Sequence, residues 1–301
     1  MTDLKIGVVG IEGKWSTEVL ADALEQRTGF RLVIDIEKVV ANLADKKVMY
    51  QGFNLCELDA IIIKKVSQTY SPAILDRLEI LRFVESCQCQ IFSPPESIIR
   101  LVDRMACTVT LAQAGIPMPP TVITEHQDAA LDAIKQFGEA ILKPLFSTKA
   151  KGMEVLNAKQ SDKKLRSQLD QYHQLHGFYY IQKKLALPGQ DLGLMFLGGE
   201  YQGAYARVSG NTSWNTTIAN GGKYAAAYPS DEIIAMAAKA QALFKLDFTT
   251  VDIAETHDGP VCFEVSAFGG FKGAKEGLGI NIADKYADYV INKVSSRSLS
   301  D

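Results

Sequence analysis

Residues 249–255 (Thr-Thr-Val-Asp-Ile-Ala-Glu) and 261–266 (Val-Cys-Phe-Glu-Val-Ser) flank the run Thr-His-Asp-Gly-Pro. Two such stretches around a Gly-containing turn specify a β-hairpin. With a register symmetric about the turn, Thr250 faces Ser266, Asp252 faces Glu264 and Ala254 faces Cys262. Val251, Ile253, Phe263 and Val265 then share the apolar face. Directly opposed side chains lie about 4.5–5.5 Å apart at Cβ, where like charges repel. A divalent cation relieves that repulsion. Asp252 and Glu264, with Ser266 beside them, offer oxygen alone, which suits Mg2+ or Mn2+, ions that complete their shell with water and substrate phosphates. A solvated polar face and a glycosidase-type acid pair satisfy the same two positions.

The 301 residues exceed what one core of ordinary size needs and predict two or three packed α/β units. Hydrophobic residues at 47% and charged residues at 22% fit a globular chain, neither disordered nor fibrous. Lys+Arg 32 against Asp+Glu 35 gives a net charge of -3, which supplies no general attraction to nucleic acid or anionic lipid. The longest apolar runs are strand-sized and no secretory leader opens the chain, so no membrane partner is expected. Five scattered cysteines without CxxC spacing suit a reducing, cytoplasmic setting and read as small buried hydrophobes.

Strands at 5–10, 31–36, 58–64 and 90–93 alternate with helices at 16–26 and 72–86 in a βαβ rhythm. Gly7, Gly10 and Gly13 follow GxxGxxG spacing, which reads as a tight strand-to-helix turn and not as a dinucleotide or P-loop motif. Pro94-Pro95 places a boundary near 95, and one helix is expected over 96–114, closed by Gly115 and Pro117. Strands at 140–145, 153–156 and 178–185 with a polar helix at 162–175 then form an α+β layer. Strands at 192–197 and 201–208, a helix at 231–244, the hairpin and a last helix at 280–293 complete the chain.

Lys143 follows the apolar run Ala140-Ile141-Leu142 and precedes Pro144, so a cation projects from a buried strand where an anionic partner is expected. Lys183 and Lys184 close a second apolar strand, and the Lys-bearing loop 146–152 lies between the two. Cations, a small-residue loop and paired carboxylates together describe a nucleoside triphosphate pocket without a P-loop. His173 and His176 read as helix surface, Cys87 and Cys89 as packing, and His257 has no assigned role.

The motifs Phe92-Ser93-Pro94-Pro95, Asp103-Arg104 and Gly115-Ile116-Pro117-Met118-Pro119 resemble, in order, those of the ATP-grasp superfamily. Within it the chain resembles the RimK-like ligases, which join an amino acid, often glutamate, to a carboxylate. Lys143-Pro144-Leu145, Gln182-Lys183-Lys184, Asp191, Arg207, Trp214-Asn215-Thr216-Thr217 before Gly221-Gly222, and Asp252 with Glu264-Val265-Ser266 continue the likeness. The resemblance implies an α/β and α+β architecture: an N-terminal α/β domain over 1–95, a central ATP-grasp subdomain over 96–183 and a C-terminal subdomain over 184–301 bearing the metal site, with ATP clamped between two antiparallel sheets. It further implies Mg2+ (or Mn2+) on Asp252, Glu264 and Ser266, and phosphates on Lys143 and Arg104. Gln182, Lys183 and Lys184 would lie beside adenine, Asp191 beside ribose, Asn215, Thr216 and Thr217 beside the nucleotide, and Arg207 beside an acyl phosphate.

The chain departs from the pattern at several positions. Ser266 replaces an asparagine, Gly193 an arginine, and Asn215-Thr216-Thr217 an Arg-Ser-Asn stretch. Residues 268–275 resemble the GAK-system subgroup and add Lys272 and Lys275, read either as recognising an anionic substrate or as a solvated pair. The implied activity is an ADP-forming carboxylate-amine ligase with small-molecule or peptide carboxylate and amine substrates. A kinase releasing a phosphorylated product and a nucleotide-binding regulatory subunit are the alternatives, and a homo-oligomer stays open.

Overall fold

The computed structural model describes residues 3–148, 150–209 and 222–297, arranged around four sheets. The first part runs β1 (Ile6–Val9), α1 (Trp15–Thr28), β2 (Val33–Ile34), β3 (Val40–Asn42), β4 (Lys47–Tyr50), β5 (Phe53–Asn54), β6 (Ala60–Ile63), α2 (Ala73–Ser86) and β7 (Gln90–Phe92). Strands in the order β2-β1-β6-β7 form a parallel sheet. Every residue of β1 and β6 is buried, which is why these strands are apolar without alternation. A Cβ on Gly10 would meet Thr17 at 2.4 Å, so the glycines after β1 serve a close strand-to-helix turn, as expected. The separate sheet β3-β4-β5 was not expected: its strands are two to four residues long, β3 is fully exposed, and no periodicity marks them.

The single helix expected over 96–114 is two, α3 (Pro95–Val102) and α4 (Arg104–Gln113). Asp103 between them is extended, and its carboxylate accepts from the Met105 amide at 2.9 Å. An N-cap within a helical pattern competes with helix continuation, and here it wins. The break turns Arg104 toward the neighbouring layer, where its amide donates to the Leu145 carbonyl at 3.1 Å.

The middle layer comprises β8 (Thr121–Thr124), α5 (Gln127–Phe137), β9 (Glu139–Leu142), β10 (Glu154–Asn157), α6 (Asp162–His176) and β11 (Tyr179–Lys183), with antiparallel order β10-β9-β11-β8. It has its own core, in which Ala130, Leu131 and Ile134 of α5 and Leu165, Leu169 and Tyr172 of α6 cover Leu142 and Ile181. Beyond β8 and α5, which were not expected, the main difference is that β9 stops at Leu142: Pro144 has no amide to continue the ladder, and Lys143 makes the last bond, to the Tyr180 carbonyl at 3.0 Å.

The last part contains β12 (Gln190–Leu197), β13 (Glu200–Val208), β14 (Lys223–Ala227), α7 (Asp231–Ala242), β15 (Phe248–Thr256), β16 (Gly259–Ser266), α8 (Phe271–Leu278) and α9 (Ile282–Arg297). These strands make the antiparallel sheet β14-β13-β12-β15-β16. Helix α7 packs on one face, and residues of α8 and α9 join Met195, Tyr205 and Phe248 on the other in a core shared with β1, β6 and α1. The first and last sheets are thus one packed body, reinforced where Arg27 of α1 meets Asp284 and Asp288 of α9 at 3.3 and 2.5 Å. Among the described residues no helix is long and apolar enough to cross a membrane.

Candidate active site

Thr250 opposes Ser266 and Asp252 opposes Glu264, the pairs expected from the symmetric register. Beyond them the register shifts: Ile253 pairs with Cys262 and Ala254 with Val261, so Ala254 does not face Cys262. Phe263 is the extra residue of this bulge. It leaves the apolar face, where Cys262 takes its place in the core beside Ile253 and Val265, and it lines a crevice with Glu264, Arg104, Ser147 and Tyr70.

Register across the sheet sets Tyr205, Gly193, Asp252 and Glu264 in one row over β13, β12, β15 and β16, with Arg207 opposite Asp191 in an adjacent row. Asp191 is 5% exposed. Arg207 donates Nε to Asp191 Oδ2 at 3.0 Å and Nη2 to the same oxygen, and Nη2 also stands 3.0 Å from Asp252 Oδ2. One guanidinium therefore bridges two carboxylates. Burial opposes its charge, but Asp252 and Asp191 more than offset this and hold Arg207 well above its ordinary pKa. Burial likewise raises the Asp252 carboxyl; Arg207 opposes that shift, and the charges of Asp191 and Glu264 add to it.

Asp252 Oδ1 is buried without a hydrogen-bond partner, while Glu264 opposite is half-exposed. An unmatched carboxylate oxygen facing a second carboxylate fits a hard cation. Among the described residues no group of three or more His, Cys, Asp and Glu side chains is placed to hold a metal. Asp252 and Glu264, with the hydroxyl-bearing Ser266 two residues beyond, are the oxygen-bearing groups that the hairpin brings together here.

Cations face this row from the middle layer and from the start of α4. Lys143, 8% exposed, donates Nζ to Gln182 Oε1 at 2.5 Å, and Gln182 Nε2 donates to Thr121 Oγ1 at 3.0 Å. Its Nζ lies 5.5 Å from the Phe263 ring centre. Burial pushes the Lys143 amine down to about 7, with Arg104 adding to the shift and Glu264 opposing it. Arg104 donates Nε to the Pro144 carbonyl at 3.1 Å and Nη2 to Ser147 Oγ at 3.1 Å, and sets Nη1 3.5 Å from Glu264 Oε2. Lys143, Arg104, Gln182, Asp252 and Glu264 thus converge, with Arg207 and Asp191 attached through Asp252.

Other sequence candidates sit differently. The Lys183 and Lys184 amides already donate to the Pro120 and Glu139 carbonyls, and Lys184 Nζ pairs with Glu139 at 3.0 Å. Lys272 and Lys275 are exposed on α8, and Lys275 Nζ lies 5.1 Å from the Trp15 ring centre. Asn215, Thr216 and Thr217, with Trp214 and Gly221, lie outside the described residues. Tyr70 and Phe263 line the crevice without having been singled out: nothing in sequence brings Tyr70 to this loop, and only the bulge turns Phe263 inward.

The glycine at 193 has a steric cause. A Cβ there would stand 2.6 Å from the Tyr205 ring, one on Gly273 2.4 Å from it and one on Gly277 2.9 Å from Tyr205 Cβ. Three glycines make the space for one buried aromatic ring beside Asp252.

Residues 102–290 match the RimK-like ATP-grasp domain family. Among curated relatives, the chain is 26% identical over 320 residues to the tetrahydromethanopterin:alpha-L-glutamate ligase of Methanosarcina acetivorans, covering 96% of this chain and 99% of that one. It is 25% identical over 295 residues to the ribosomal protein bS6–L-glutamate ligase of Salmonella paratyphi B, covering 95% of each. Among solved structures, the ATP-grasp ligase PsnB, complexed with a phosphomimetic variant of its minimal precursor, Mg and ADP, shares the fold with a TM-score of 0.75 at 18% identity, over 98% of this chain and 100% of that one. With a family match across the middle layer, the C-terminal sheet and the converging cations and carboxylates, the chain belongs to the RimK-like ATP-grasp family and is an ATP-dependent ligase.

Proposed function

We propose that the three units, residues 1–95, 96–183 and 184–301, act as an ADP-forming carboxylate-amine ligase whose reaction centre is the crevice between Lys143 and Arg104 on one side and Asp252 and Glu264 on the other. The observation that carries this reading is the buried, partnerless Asp252 Oδ1 opposite Glu264, with Arg104 already 3.5 Å from the Glu264 carboxylate. A substrate carboxylate oxygen attacks the γ-phosphorus and ADP leaves. The amine nitrogen then attacks the acyl carbon of the acyl phosphate, inorganic phosphate leaves and the nitrogen loses a proton. Phosphoryl transfer leaves the protein chiefly positioning and charge neutralisation. Lys143 and Arg104 offset phosphate charge, Gln182 orients the Lys143 amine, and Arg207, held by Asp191, stands next to Asp252 where the acyl phosphate forms. Mg2+ held by Asp252 and Glu264, with Ser266 beside them, would neutralise phosphate oxygens. The substrates are small-molecule or peptide carboxylates and amines, glutamate first among the amines to try, in a reducing cytoplasm.

The test is a screen of ADP and phosphate release from Mg·ATP across amino acids, paired with calorimetric titration of nucleotide onto wild type and Asp252→Asn. Metal-dependent binding lost in the variant and release stimulated by one amino acid are expected. ADP release indifferent to every amine would favour a kinase, and absence of nucleotide binding would refute the site.

A further inference from the structure

A cavity of about 250 Å3 opens at the edge of the parallel sheet where its strands begin, and Cys56, Cys87 and Cys89 all line it beside Glu57, Asp59 and Arg297. Cys56 lies in the 3-10 turn Leu55–Glu57, Cys87 caps the C-terminus of α2, and Cys89 immediately precedes β7. Cys56 and Cys87 are far apart in sequence, yet both line this one cavity, where the 3-10 turn packs against α2. Gln88 between Cys87 and Cys89 is in the left-handed region at φ 77, and the two cysteines differ sharply in burial: Cys89 is 2% exposed and Cys87 half-buried. Cys56 is half-buried too, so two of the five cysteines are not the buried hydrophobes their scattered spacing suggests. Cys107 and Cys262 are enclosed in the large core. Among the described residues no set of His, Cys, Asp and Glu is placed to hold a metal, so this is not a zinc site.

We propose that Cys56 and Cys87 are an oxidative modification site: a peroxide converts them to an intramolecular disulfide that staples the 3-10 turn to the end of α2. The Cys87 sulfur attacks one peroxide oxygen, the O–O bond breaks and water leaves, giving the sulfenic acid. The Cys56 sulfur then attacks the Cys87 sulfur, the S–O bond breaks and a second water leaves with the two thiol protons accounted for. The sulfurs lose two electrons and hydrogen peroxide gains them. Burial raises the Cys56 thiol, with Cys87 adding to the shift.

The experiment is intact-mass and peptide-mass analysis of the full chain after hydrogen peroxide. Expected are loss of two hydrogens from the whole protein, a cross-linked pair of peptides containing Cys56 and Cys87, retention of the product in Cys89→Ser, and a thermal midpoint several degrees higher that returns on adding dithiothreitol. Cys56→Ser and Cys87→Ser should each abolish the mass loss, and the wild-type cross-link map stands even if either variant folds poorly. Mass loss surviving in Cys56→Ser, a Cys87–Cys89 link, covalent dimers alone, or stepwise oxygen addition without a cross-link would overturn the assignment. None of these outcomes depends on the nucleotide site.

Discussion

Binding of Mg·ADP should draw protons from solution, and Lys143 sets how many. Its amine is held down to about 7 by burial, with Arg104 adding and Glu264 opposing, and among the described residues its hydrogen-bond acceptor is the neutral Gln182 Oε1. A phosphate beside it restores the ordinary value near 10.4, so the free amine, about one-tenth protonated at pH 8, becomes almost fully protonated in the complex. Lys143 then contributes about 0.9 proton of uptake at pH 8, about 0.5 at pH 7 and about 0.1 at pH 6, read as the difference between wild type and Lys143→Met, while the Asp252 carboxyl, raised by burial, releases protons to the cation chiefly toward pH 6. Calorimetric titration in buffers of different ionisation enthalpy reads the uptake directly. ADP avoids turnover, and Lys143→Met should remove the pH 8 uptake while nucleotide affinity at pH 6 falls. Equal proton uptake by wild type and Lys143→Met at pH 8 would refute the reasoning, as would uptake that grows as pH is lowered.

Glu264→Gln removes one of the two facing carboxylates and should lower Mg·ATP turnover by about 100-fold or more with the fold intact; unchanged steady-state ADP release would exclude Glu264 as a cation donor. Gly193→Ala sets a Cβ 2.6 Å from the Tyr205 ring and should cost about 1–3 kcal/mol in urea unfolding, most of it removed when Tyr205 is also Ala. Lys64 is 5% exposed, donates to the Gly269 carbonyl at 2.7 Å, and is lowered by burial, with Lys65 adding, to about 7. Between that value and the unfolded one near 10.4 the unfolded chain binds more protons, so Lys64 makes stability rise with pH by up to about 1.4 kcal/mol per unit, and below about 7 its contribution is flat and least favourable. Lys64→Met should therefore gain most over wild type near pH 6 and lose that advantage toward pH 10 in urea titrations; a pH-independent difference would show that the amine does not titrate there.

The facing of Asp252 and Glu264 agrees with the symmetric register because the Phe263 bulge restores it: the turn pairs Thr256 with Gly259 and Ile253 with Cys262, which continued unbroken would set Asp252 opposite Phe263. Lys143 was legible because a lysine after three apolar residues needs a buried setting. The bulge at Phe263 was not, since it depends on how Cys262 packs among Ile253 and Val265. Nor was the break before Arg104: Asp103 is an ordinary helix residue until its side chain finds the Met105 amide. The bridge of Asp191, Arg207 and Asp252 joins three strands whose register no short motif encodes. Strands β3 to β5 escaped because pieces two to four residues long are too short to show a period, even though Val48 and Tyr50 of β4 alternate into the core.

The ring of Tyr205 and its three glycines also constrain the order in which this sequence can change. Replacing Gly193, Gly273 or Gly277 first drives a carbon into an aromatic ring already enclosed by the other two positions, or into the Cβ that carries it. Shrinking Tyr205 first opens a void, which a domain with stability in reserve survives. A lineage that carries a long side chain at position 193 and one that carries this tyrosine are therefore connected through the aromatic position, and recombining the two halves of the pattern at random passes mainly through chains that do not pack.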